Sequence, residues 1–133
     1  MTDLLLKALE YYGIREYPGR GWNNPAIVAM IRKIFPWAKE DEIPWCSIFL
    51  NQVAEEAGYK GSGTAVARDW LNVGSKIPEP SPGDIAIFWR DHPASWKGHV
   101  AIFIREYNSS IWVLGGNQRN SVNIAPYSKD RLI

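Results

Sequence analysis

The chain has 133 residues, of which 46% are hydrophobic and 22% are charged, and its formal net charge is +1. This length predicts one domain over residues 1–133, and the composition is typical of a globular protein. Lys and Arg residues form no cluster longer than a pair, which argues against a nucleic-acid partner. The single cysteine, Cys46, excludes an internal disulfide and a cysteine-rich zinc site.

The N-terminal segment MTDLLLKALEYYGI has charged side chains among its apolar residues, at Asp3, Lys7 and Glu10. A basic stretch followed by a long apolar run is absent, so no secretory signal peptide is predicted. No run approaches the length of a membrane span. We therefore expect synthesis in the cytoplasm, so that a substrate outside the cell must be reached through another delivery system.

Four helical segments are predicted in the first half of the chain. Gly13 ends the first, and Asn24 as N-cap with Pro25 at the first helical position begins the second. Gly58 suits the position that follows the third helix. The segments are residues 2–12, 24–35, 46–57 and 63–74.

The pattern changes after Pro78 to β-rich runs separated by turn residues: DIAIFWR, HVAIFIREY, SIWVLGGNQ and SVNIAPY. Helices followed by successive strands favour an α+β fold. We expect the N-terminal helices to pack on one face of a C-terminal antiparallel β-meander.

Cys46 lies at the N-terminal end of the third helix and begins an apolar stripe with helical spacing. One interpretation is a buried core cysteine. The other is a nucleophile, because the first turn of a helix offers free N–H groups and the positive end of the helix dipole, both of which stabilise a thiolate. The stripe comprises Cys46, Phe49, Leu50, Val53, Ala54 and Ala57.

His99 is the candidate base, because it begins a strand directly after Gly98, whereas His92 lies in a loop beside a proline. A hairpin turn centred near Asn108–Ser109 places His99 opposite residues 117–118. An amide side chain there could accept the imidazole N–H and orient the ring. The register leaves the choice between Asn117 and Gln118 open, since one residue exchanges the two faces of a strand.

The ordered set PWCSIFLNQVAEEAG, GDIAIFW, GHVAIFI and VLGGNQ resembles the papain-like NlpC-type and CHAP (cysteine, histidine-dependent amidohydrolase/peptidase) cell-wall hydrolases. The resemblance extends from about Leu5 to Leu132 and implies a papain-like fold. It also implies cleavage of an amide in the stem peptide or cross-bridge of peptidoglycan through an acyl-enzyme, without a cofactor. Carried over by position, Cys46 is the nucleophile, His99 the base and Asn117 the orienting residue, with Gln118 as the alternative. Delivery to the cell wall by a phage or a secretion system fits such an enzyme.

Papain-type enzymes place a glutamine six residues before the cysteine as an oxyanion-hole donor, and this chain has Glu40 there. NlpC-type enzymes often use an upstream tyrosine, and the nearest, Tyr17, lies far from Cys46 in sequence. A backbone N–H or the Trp45 indole is therefore the candidate donor. We also expect Trp45 and Trp96 to line a substrate groove.

Two alternatives keep other classes of function open. The chain could be a catalytically inactive binding module on a papain-like scaffold. It could also be a metal-dependent amidase that uses His92 and His99 with Asp91, although seven residues and a proline separate the two histidines. The preferred hypothesis uses no metal, and the sequence makes no prediction of oligomeric state.

Overall fold

The N-terminal half of the protein is helical and the C-terminal half is a β-sheet. The structure, a computed structural model, describes residues 3–18, 23–39 and 44–133. Within these ranges the first half forms three α-helices and a six-residue 3-10 helix. They are α1 (Asp3–Leu9), α2 (Pro25–Arg32), α3 (Cys46–Glu56) and the 3-10 helix (Ala67–Asn72).

The helix boundaries follow the predicted capping residues in two cases. The Asn24 side chain accepts a hydrogen bond from the Ala26 backbone N–H at 2.9 Å, and Pro25 is the first residue of α2. Gly58, just after α3, has a φ of +86°, which glycine adopts without steric cost.

The fourth predicted helix, over residues 63–74, is shorter than expected and of the 3-10 type. The Thr64 hydroxyl donates to Asp69 Oδ2 at 2.6 Å and accepts from the Val66 backbone N–H at 3.3 Å. Because this side chain already binds the local backbone, residues 63–66 do not continue the helical hydrogen bonds.

The second half forms a four-stranded antiparallel sheet in the order β1-β2-β3-β4. This confirms the predicted meander. The Tyr107↔Ser110 pair closes the central hairpin through Asn108 and Ser109, whose φ angles of 48° and 63° suit a two-residue hairpin turn. The strands are β1 (Ile85–Trp89), β2 (Gly98–Tyr107), β3 (Ser110–Gln118) and β4 (Ser121–Ser128).

The sheet has a different apolar cluster on each face. On the helix side, α3 packs Cys46 and Phe49 into the core that contains Val100 and Ile102. The alternate residues of β2 lie in a second cluster, which contains Phe88, Ala101, Phe103 and Val113. The helices therefore cover one face of the sheet, as the α+β prediction requires.

No helix within the described ranges is long and apolar enough to cross a bilayer.

Candidate active site

Cys46 is the first residue of α3, and its side chain is 8% exposed. Burial raises the pKa of the thiol above its ordinary value, although the backbone N–H groups of Val100, Ser47 and Cys46 and the charge of Arg90 act in the opposite direction. The helix N-terminus therefore supplies the predicted donors, but it does not ionise the thiol. A thiolate is therefore not favoured in the empty site, because the cost of desolvating the charged sulfur outweighs these donors.

His99 is the second residue of β2 and is 5% exposed. Its ring stacks on the Tyr127 ring, with centroids 4.6 Å apart and planes 17° apart. Burial lowers the pKa of His99 from 6.5 to about 4; a hydrogen bond to Gln118 raises the value and the charge of Arg90 lowers it. The imidazole is consequently neutral at pH 7.

The hydrogen-bond partner of the imidazole is Gln118, not Asn117. His99 Nε2 lies 2.9 Å from Gln118 Oε1, and the Gln118 side chain is buried. Gln118 Nε2 donates to the Asn123 backbone carbonyl at 2.8 Å and to Asn123 Oδ1 at 3.0 Å. These two acceptors require the amide nitrogen on their side, which directs Oε1 towards the imidazole. His99 Nε2 must therefore carry the proton, and Nδ1 is left as the basic nitrogen.

A local change in β3 explains why the family position, Asn117, does not face the ring. The β3–β4 register shifts between Gly115 and Gln118, and Asn117 has a φ of 56°. A left-handed residue at a bulge breaks the alternation of side chains along the strand, so Gln118 points to His99. Gly115 makes room for it, because a Cβ there would lie 2.5 Å from Gln118 Oε1.

Cys46 packs into the cluster on the helix side of the sheet, whereas the His99 ring stacks with Phe88 and Tyr127 on the other side. The N–H of Val100, the residue after His99, stabilises the Cys46 thiolate. Tyr127, which stacks on His99, also lies within electrostatic range of Cys46, and burial together with that neighbour raises its pKa to about 12. Val100 and Tyr127 are thus neighbours of Cys46, and they are respectively adjacent to His99 in sequence and stacked on its ring.

A pocket of about 200 Å³ opens beside His99. The described residues that line it include His99, Asn117, Tyr127, Arg90 and Arg131, and none of them is acidic. Sequence reasoning did not find Arg90, Arg131, Tyr127 or Asn123. In the sequence, only the alternation of β4 indicates that Tyr127 and Asn123 share a face. No pattern in the sequence marks Arg90 or Arg131 as part of a site.

The structure separates the tryptophans that were expected to line a groove. Trp45 is fully buried, and its indole N–H donates to Glu16 Oε2 at 2.8 Å, so it neither lines an open groove nor serves as a free oxyanion donor. The Trp45 ring packs in the apolar core between the helices and the sheet. Trp96 is 69% exposed in the loop between β1 and β2, outside the pocket lining. Glu40 lies outside the described residues.

The three residues of the metal alternative have other partners. Asp91 pairs with Lys97 Nζ at 3.1 Å, and His92 Nδ1 accepts from the Ala94 N–H at 3.0 Å. Nε2 of His99 is bound by Gln118. In the part of the chain that the structure describes, no three His, Cys, Asp or Glu side chains gather as metal ligands.

Comparison with known proteins identifies the domain family and the fold. The CHAP domain family model matches residues 38–117, more than half of the chain. A solved structure described as similar to a lipoprotein of the NLP/P60 family, from Staphylococcus aureus subsp. aureus Mu50, matches with a TM-score of 0.59 at 21% identity. The match covers 98% of this chain but 38% of the other, and at this identity it shows the fold, which is papain-like. No curated protein gives a significant sequence match. The chain therefore belongs to the CHAP domain family, and its fold is papain-like.

Proposed function

We propose that this protein hydrolyses an amide bond in the stem peptide or cross-bridge of peptidoglycan, with Cys46 as nucleophile and His99 as base. Gln118 replaces Asn117 as the residue that orients the imidazole. The observation that carries the proposal is the buried hydrogen bond from His99 Nε2–H to Gln118 Oε1, at 2.9 Å.

This hydrogen bond matters because it selects the tautomer that can act as a base. Asn123 holds the Gln118 amide, and the amide oxygen in turn requires a donor on His99 Nε2. Nδ1 is then unprotonated and can take a proton from a thiol.

The reaction proceeds through two acyl transfers. The Cys46 sulfur attacks the amide carbon while its proton passes to His99 Nδ1. The C–N bond then breaks, and the imidazolium gives that proton to the departing amine. Water attacks the thioester with His99 as base, which releases the carboxylic acid and restores the thiol.

Backbone groups at the start of α3 supply the electrostatic support for this chemistry. The N–H groups of Cys46 and Ser47 stabilise negative charge on sulfur, and the first turn of a helix has no internal acceptors for them. The same donors can stabilise the oxyanion that develops on the substrate carbonyl. Since both titrating groups are neutral when the site is empty, proton transfer accompanies the attack on the substrate.

The test is digestion of purified sacculi by wild type, Cys46→Ala and His92→Ala, with mass spectrometry of the released fragments. Wild type and the His92 control should release the same fragments, which identify the bond. Cys46→Ala should be at least ~10³-fold slower, because truncation of a catalytic nucleophile removes most of the rate enhancement. Circular dichroism establishes that the variant is folded. Full activity of Cys46→Ala, or inactivation by EDTA but not by iodoacetamide, would contradict the proposal.

A further inference from the structure

The pocket beside His99 has an unbalanced positive charge. Arg90 and Arg131 line it, and no acidic side chain of the described residues does so. Neither arginine forms a salt bridge with a described carboxylate, whereas the neighbouring Asp91 is paired with Lys97. Two cationic side chains that line one small pocket without a described counter-charge favour an anionic ligand there.

Arg131 is held by an aromatic contact, and Arg90 acts on the site through its charge. The Arg131 guanidinium lies over the Trp89 ring, 5.1 Å from its centroid. The Trp89 indole N–H in turn donates to the Asp130 backbone carbonyl at 3.3 Å. Arg90 follows Trp89 in sequence, and its charge acts on Cys46, His99 and Tyr127 together. A partly ordered guanidinium loses less entropy when it binds a carboxylate.

The position of the pocket relative to the reaction indicates which half of the substrate it takes. His99 lines the pocket and must return its proton to the departing amine. The residue on the amine side of the scissile bond consequently leaves next to this pocket.

We propose that the pocket formed by Arg90 and Arg131 binds a carboxylate on the amine-side residue of the scissile amide. This inference rests on the proposed thiol mechanism and adds the substrate class to it. The carboxylate is either the α-carboxylate of that residue or a side-chain carboxylate, as in a diamino acid with two acid groups.

A bound carboxylate would also assist the base. Arg90 opposes the protonation of His99, so its charge lowers the pKa of the imidazole in the empty site. An anion between Arg90 and the ring reduces this opposition. Substrates with the carboxylate are therefore expected to favour turnover as well as binding.

The experiment measures binding without turnover, by calorimetry on Cys46→Ala. Three stem-peptide fragments are compared that differ only in the amine-side residue: lysine amide, lysine with a free α-carboxylate, and the α-amide of diaminopimelate. At least one carboxylate fragment should bind ~10-fold or more tightly than lysine amide, as expected for a guanidinium–carboxylate pair. The better of the two identifies the source of the carboxylate.

Adding Arg90→Gln or Arg131→Gln should reduce this preference, and adding both should bring the ratio to within ~2-fold. Arg105→Gln is the matched control, because Arg105 also stacks on an aromatic ring, that of Tyr107, at 5.3 Å near the other end of the hairpin. Equal binding of the three fragments, no binding of any, or a preference that survives the double substitution would overturn the inference. Hydrolysis of sacculi by wild type is scored separately, so a failure of the proposed function is distinguished from a failure of the carboxylate pocket.

Discussion

Removal of the Gln118 side chain should slow catalysis by a mechanism that the structure defines. Gln118→Ala deletes the acceptor of the His99 Nε2 proton, 2.9 Å away. The imidazole can then carry its proton on Nδ1, and in that tautomer it cannot accept a proton from Cys46. We expect kcat to fall ~10–10³-fold, less than on loss of the nucleophile, because an orienting group takes no proton itself.

The same change should also lower stability, because it removes buried hydrogen bonds. Gln118 is 2% exposed, and its amide nitrogen satisfies two oxygens of Asn123. Truncation leaves these partly buried acceptors without their donor and creates a small cavity, so the free energy of unfolding should fall by about 1–3 kcal/mol. Urea denaturation measures this value, and kinetics are run where the variant remains folded.

The matched control is Asn117→Gly, which removes the neighbouring amide but tolerates the φ of 56° at that position. At saturating substrate its kcat should stay within ~3-fold of wild type, because Asn117 does not bind the imidazole. Gln118→Glu supplies a second readout: it keeps an acceptor for Nε2, and its negative charge should move the acid limb of the pH–rate profile upward from about pH 4. A larger loss of kcat in Asn117→Gly than in Gln118→Ala would refute the assignment of Gln118.

Three further predictions concern other parts of the site. Because the pKa of His99 is about 4 when the protein is folded and 6.5 when it is not, the folded protein should lose stability relative to His99→Gln as the pH falls from 6.5 to about 4. The loss should be about 3 kcal/mol in the free energy of unfolding, measured by denaturation at several pH values. The same pH dependence in the two proteins would contradict this prediction. Gly116→Ala should lower the free energy of unfolding by about 1–3 kcal/mol, because its Cβ would lie 2.6 Å from Phe49 Cβ; an unchanged denaturation midpoint would show that α3 can move away at no cost. Arg68 donates to three backbone carbonyls of the loop at 91–97, at 2.7–2.9 Å, so Arg68→Ala should accelerate amide exchange there by ~10-fold or more while exchange in β3 stays unchanged; unchanged exchange in the loop would rule out this anchoring role.

The sheet can be predicted from sequence because each strand has both an alternating pattern and turn residues at its ends. The pattern predicts one strand over residues 110–118, and β3 has these bounds. The fourth helical segment is predicted less well. Its apolar spacing is helical, but the Thr64 hydroxyl binds the Val66 backbone N–H and the Asp69 carboxylate just before and within the 3-10 helix. Periodicity reports which face is buried, and it does not report such local competition.

The sequence is enough to propose Cys46 as nucleophile and His99 as base, but it does not determine their protonation or which amide contacts the imidazole. The hairpin register holds from Tyr107↔Ser110 to Arg105↔Trp112 and then shifts at Ile104, and a second irregularity follows at residues 115–118. Each irregularity changes which side chain faces His99. The glycine pair before Asn117 is the strongest indication of either irregularity in the sequence. Protonation depends on burial in three dimensions, which the position of a cysteine on a helix does not determine.

The candidate pair is assembled by close packing between α3 and the sheet. Cys46 belongs to the apolar cluster on the helix side, whereas His99 stacks with Phe88 and Tyr127 on the other face. The proposed pairing of the two side chains therefore depends on how closely α3 and the strands can meet. Gly116 provides this closeness, because a Cβ there would collide with Phe49 of α3. Gly98 instead allows β1 and β2 to approach, because a Cβ there would lie 2.7 Å from the Phe88 carbonyl oxygen. Gly98 and Gly116 thus have a steric role next to His99 and Asn117. A larger residue at either glycine should disturb the site even when Cys46, His99 and Gln118 are unchanged.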